Sequence, residues 1–86
     1  MFTGRQLLIL SYIIGKHGET TSVFLSDKLG VSTRTIKAEI KSINEELPDE
    51  ERVEYVSKKG YIIKNLTEKT RNKLIITIEE ERMKSD

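Results

Sequence analysis

Arg34, Lys37 and Lys41 stand three and four residues apart, with Thr33, Thr35 and Ala38 among them. On a helix that spacing gathers the three cations on one side. Such residues do recognition chemistry, with no bond made or broken. A guanidinium can donate two hydrogen bonds to the edge of a guanine, and an alanine methyl can meet a thymine methyl. Lysines and hydroxyls can hold phosphates. A second basic pair lies in Ser57-Lys58-Lys59-Gly60. At a hairpin tip two lysines suit phosphates or a minor groove, although lysine also guards ordinary edge strands.

Residues for bond-making chemistry are lacking. His17 is the only histidine, and it reads as a solvated cation in the last turn of a first helix. No serine or threonine has another histidine to activate it. Gly30 is followed by Val31-Ser32-Thr33, without the glycine-lysine end of a phosphate-cradling loop. Pro48-Asp49-Glu50-Glu51 reads as a breaker and a solvated acidic loop, since it lacks the ligand spacing of a cation loop. There is no cysteine, so disulfides and thiolate metal sites are out, in agreement with a reducing compartment. The apolar run from Leu7 to Ile14 is too short to span a bilayer, and no secretory signal is evident. No enzyme, cofactor, metal, membrane or small-molecule site is therefore expected.

The elements that must hold the basic residues are legible from periodicity. With 86 residues the chain suits one small domain. Its net charge of +1 says little by itself, so the placement of charge must carry the argument. Thr3 and Gln6 have the spacing of a capping box, with Phe2 and Leu7 as its hydrophobic staple. A first helix is predicted from about Gly4 to about Lys16, broad enough in its apolar face (Leu7, Leu10 and Ile14, widened by Leu8, Ile9 and Ile13) to be central. Glu19-Thr20-Thr21 could be a connector or one small strand. Ser22 is expected to cap a second helix from Val23 to Leu29, with Phe24 packed sideways onto the first. Gly30 should end that helix in the left-handed conformation.

Ser32 then caps a third helix, in which Ile36, Ile40, Ile43 and Leu47 form a buried stripe. Arg34, Ala38 and Lys41 occupy the opposite face, with Lys37 and Thr33 on its flank. Val53-Glu54-Tyr55-Val56 and Tyr61-Ile62-Ile63 read as a hairpin, with Gly60 available for a positive φ at the turn. Thr67 would cap a fourth helix. There Leu74, Ile75 and Ile78 cluster on one side and Ile76 faces nearly opposite, although Ile75-Ile76-Thr77-Ile78 also has strand character. The fold class is thus α+β: three helices, a two-stranded hairpin and a C-terminal helix.

With LSDKLGVSTRTIKAEIKSIN at its centre and SKKGYII on its hairpin, the chain resembles the winged helix-turn-helix of bacterial transcription regulators. It is most similar to the N-terminal DNA-binding domain of regulators controlled by the sugar phosphotransferase system, those related to the antiterminators. The N-terminal domain of the biotin-operon repressor looks similar too. The likeness covers roughly Leu7 to Lys64; at Val23 and Phe24 the chain departs from the mostly polar residues of the family. The resemblance implies cytoplasmic binding of double-stranded DNA, usually as a homodimer through the C-terminal helix or further domains, and control by phosphorylated domains further along. Such regulators are much longer, so a fragment of one is expected, with residues 1–65 as the DNA-binding domain and 66–86 as a dimerisation or linking helix.

On that fold the third helix would lie in the major groove, its N-terminal half towards base edges. Arg34 is the leading base reader, and Thr33, Lys37 and Ala38 tune the rest. Thr35, Lys41 and Ser22 would hold phosphates, Ser32 stands with them at the helix start, and Lys58 and Lys59 reach in from the wing. A protein-interaction module on the same fold is the competing reading. The modest charge, Glu39 and Glu45 on the third helix, and Val23 speak for it.

Overall fold

The computed structural model describes residues 2–15, 19–48 and 50–84. The expectations for Lys16, His17 and Asp49 lie outside them. In chain order the elements are α1 (Gly4–Gly15), α2 (Ser22–Leu29), α3 (Thr33–Glu46), β1 (Arg52–Val56), β2 (Gly60–Lys64) and α4 (Glu68–Lys84). The α+β class and the hairpin are as the sequence predicts.

Helix α1 opens on the expected capping box. The Thr3 amide donates to Gln6 Oε1 at 3.0 Å and the Gln6 amide to Thr3 Oγ1 at 3.2 Å, satisfying two amides that the first turn leaves free. The helix is central: Ile9 and Leu10 are fully buried, and α2, α3, β2 and α4 all pack on it. Leu8 departs from the expected breadth and stays 45% exposed.

The cap of α2 is a correction. Thr21, one residue before Ser22, holds the extended backbone (φ −94°, ψ 168°) and accepts from the Phe24 amide at 3.0 Å. Both residues have the chemistry of a cap. Thr20 decides between them, because its bridge to Gly60 keeps the chain extended up to Thr21. Ser22 therefore begins the helix. Phe24 packs as predicted, edge-on to Tyr12 at 5.6 Å between ring centroids. Gly30 ends α2 at φ 70°, and its amide and that of Val31 both donate to the Ser26 carbonyl. Ser32 caps α3 by accepting from the Thr35 amide. Ile36, Ile40, Ile43 and Leu47 are all buried, in one core with Leu25, Val53 and Leu74.

The hairpin pairs Arg52 with Lys64 through to Val56 with Gly60. The Lys59 amide donates to the Val56 carbonyl, and Lys58 takes a φ of 70° at the third turn position, as a type II turn requires. Gly60 also has a positive φ, 82°, but for a further reason. Its Cα lies against the Thr20 backbone, and the Tyr61 amide donates to the Thr20 carbonyl at 2.7 Å. Glu19-Thr20-Thr21 thus supplies a one-residue strand. On the other edge Asn44 of α3 brackets Val53, donating to its carbonyl at 3.1 Å and accepting from its amide at 2.7 Å.

Glu51 corrects the reading of the acidic loop as solvated. It is buried, and its carboxylate accepts from the Thr67 amide at 2.8 Å and from the hydroxyls of Thr67 and Thr70. Those groups form the start of α4, where Thr67 Oγ1 in turn accepts from the Thr70 amide. The Thr67 amide is the main cause that holds the Glu51 carboxyl below its ordinary value of 4.5; burial opposes it, and the two hydroxyls assist. A depressed folded-state value means that the stabilisation is present in full above the unfolded value and lost as pH falls through the folded one. Glu51→Gln is therefore expected to cost about 1–3 kcal/mol at neutral pH. In urea titrations the gap from the parent should close as the medium is acidified below pH 4.5. A gap that does not change with pH would mean that packing, not charge, matters at this position.

Candidate nucleic-acid interface

The polar face of α3 is positioned by its buried one. Because Ile36, Ile40 and Ile43 turn inward, Arg34, Lys37, Ala38 and Lys41 are all exposed, and Thr33 and Thr35 sit half-buried beside them. Arg34, Lys37 and Lys41 are thus brought together around the small Ala38, where a base edge can approach. Thr35 and Ser32 are engaged with each other: their hydroxyls lie 3.0 Å apart, and the Ser32 oxygen also takes the Thr35 amide.

The nearest acidic side chain on α3 is turned away from this face. Glu39 accepts from Gln6 Nε2 at 3.2 Å and pairs with Arg5 at 3.4 Å, both on α1. The sequence reading missed this, counting Glu39 as a surface charge. The spacing could have flagged it, since Glu39 lies next to Ile36, Ile40 and Ile43 on the helical wheel. Glu45 is exposed about one turn beyond Lys41 and about three turns beyond Arg34, near the end of α3.

Lys58 and Lys59 are exposed at the hairpin tip. Immediately after them Gly60 and Tyr61 are pinned to Thr20, next to the Thr21 cap and to Ser22 in the first turn of α2. The structure therefore puts the tip end of the wing beside the start of α2, so two sets of predicted phosphate contacts are anchored at one place. Further along the hairpin, Tyr55 and Tyr61 stack edge to face across the strands at 5.5 Å. Burial, and less so Tyr55, pushes the Tyr61 hydroxyl above its ordinary value, so it stays neutral.

Among the described residues no group of three or more histidine, cysteine, aspartate or glutamate side chains could hold a metal ion. No described helix is long and apolar enough to cross a membrane.

A helix-turn-helix whose second helix offers a cationic face, followed by a two-stranded wing, defines a winged-helix domain of DNA-binding type. The comparison with known families agrees: a family described as HTH domain matches residues 5–62, more than half of the chain. The chain belongs to that family, which supports DNA binding by a transcription-regulator-type domain and speaks against an enzyme. No curated protein and no solved structure matches it.

Proposed function

We propose that the chain reads a specific double-stranded DNA sequence for a bacterial transcription regulator, working in the cytoplasm and controlling carbohydrate-utilisation genes. The observation that carries the reading is the face of α3 with Arg34, Lys37 and Lys41 exposed around Ala38, while Glu39 is tied back to α1. In this reading Arg34 recognises a guanine, Thr33, Lys37 and Ala38 adjust the neighbouring contacts, and Thr35, Lys41, Ser22 and Ser32 hold the backbone. Lys58 and Lys59 follow it from the wing. The link to sugar control rests on the resemblance of LSDKLGVSTRTIKAEIKSIN and SKKGYII to phosphotransferase-controlled regulators. Residues 1–65 do the reading and 66–86 join two copies, or join the reader to a regulatory domain. The interaction-module reading loses Glu39 as support, since that side chain is engaged within the fold.

Salt dependence tests the backbone contacts. If Lys41, Lys58 and Lys59 each neutralise a phosphate, the logarithm of the association constant should fall against the logarithm of salt concentration with a slope of about −3 per bound copy. Replacing both wing lysines with alanine should flatten the slope by about 2 without changing which sequence is preferred. Binding that ignores salt, or selection on random duplexes that enriches no motif, would overturn the proposal.

A further inference from the structure

Helix α4 is apolar on two opposite sides. Leu74 is buried in the core and Ile78 packs against it, closing α4 onto α1. Ile76 and Met83, one heptad apart on the far side, are 61% and 76% exposed. A helix with a second apolar stripe has something further to cover. Ile76 is also the midpoint of Glu68–Lys84, and the charges about it are not arranged at random. Lys69, Arg71 and Lys73 precede it, and Glu79, Glu80 and Glu81 follow it. The helix dipole does not account for these blocks. Glu68, Arg82 and Lys84 match it in the terminal turns, but the two blocks, basic on the N-terminal side and acidic on the C-terminal side, run against it.

We propose that α4 pairs antiparallel with α4 of a second copy of this chain, about a two-fold axis at Ile76. In that register Ile76 meets its own counterpart, as an isologous contact requires. In an antiparallel pair the same edge of each helix faces the other. Lys73 and Glu80 share one edge, two turns apart, so Lys73 of each copy lies beside Glu80 of the other, twice over. On the other edge Asn72 lies beside Glu79 of the second copy, and at the ends Met83 covers the stem of Lys69. A parallel pair would instead set lysines against lysines and glutamates against glutamates. Among the described residues neither Lys73 nor Glu80 has a side-chain hydrogen bond or ion pair, and both are exposed. Glu79 has only an exposed contact with Arg82 on its own helix, of the kind that contributes little.

A contact between two helices about 26 Å long is small beside stable interfaces, so the dimer is a weak one, formed in the micromolar range. The inference deepens the dimeric reading above by naming its surface, and it is measured without DNA, so its failure and that of the DNA-binding reading are distinguishable. Sedimentation equilibrium of the full chain across the micromolar range should show a monomer and dimer in exchange. Lys73→Glu or Glu80→Lys alone should raise the dissociation constant about tenfold by making two like-charged contacts. The double exchange K73E/E80K should bring it back to within about threefold of the parent. Circular dichroism is expected to be unchanged in all three variants. A monomer at every concentration, a dimer indifferent to the single exchanges, or a double exchange as weak as the singles would overturn the pairing.

Discussion

Replacing Arg34 with alanine is expected to weaken binding to the preferred site by about 1–3 kcal/mol relative to random duplex. The reason is geometric. Arg34 is exposed in the first turn of a helix whose opposite side is locked into the core by Ile36 and Ile40, so its guanidinium projects from a fixed mount. A planar donor pair held in that way matches the two acceptors of a guanine edge, which a flexible ammonium does not. Arg34→Lys should thus keep most of the affinity for random duplex and lose the preference. Thermal stability should change by less than about 0.5 kcal/mol in either variant, since the side chain supports no core contact. Competition between labelled site and random duplex reads both quantities. An equal loss on both would make Arg34 a backbone contact and move base reading to its neighbours.

The largest effect on stability is expected at Gly60. A Cβ there would stand 2.5 Å from the Thr20 nitrogen and 2.6 Å from its oxygen, on a backbone at φ 82°. Strand backbone cannot yield as the end of a side chain can. Gly60→Ala combines left-handed strain with overpacking and should cost about 2–5 kcal/mol. For a domain of this size the melting temperature would then fall by about 10 °C or more. Gly30→Ala is the internal control. Its φ is similarly positive, 70°, but nothing lies within 4 Å of the added carbon, so only the conformational cost of about 1–2 kcal/mol applies. If the two variants melt together, the close approach of Gly60 to Thr20 contributes nothing.

What could be read from the sequence was local. The capping box at Thr3 and Gln6, the cap at Ser32, the stop at Gly30 and the four-residue stripe through α3 each depend on residues within a turn or two, and each formed as expected. The cationic face of α3 followed from the same period. Its exposure is what the structure adds. The misreadings involve partners distant in the chain. Glu51 looked like a solvated carboxylate because its donors, Thr67 and Thr70, lie 16 and 19 residues on. Glu39 looked free because Gln6 lies 33 residues back. The cap of α2 moved from Ser22 to Thr21 because Thr20 is held by Gly60, on the far side of two helices in sequence. Gly60 was legible as a turn glycine, but its contact with Thr20 has no local signal. Lys58 takes a positive φ beside a glycine that local rules would have chosen first.

The two ends of these long-range contacts bear on how the protein behaves when crowded. A two-stranded ribbon has two free edges, and a free edge invites a strand from another molecule. Here the outer edge of β1 is occupied at Val53 by the side-chain amide of Asn44, which offers a donor and an acceptor as a third strand would. The outer edge of β2 is occupied at Tyr61 by Thr20. Each outer edge thus has one position filled from within the same chain. A strand from another molecule would therefore meet, beside the exposed Tyr55 and Ile62, edges on which an unbroken ladder cannot form without displacing Asn44 or Thr20.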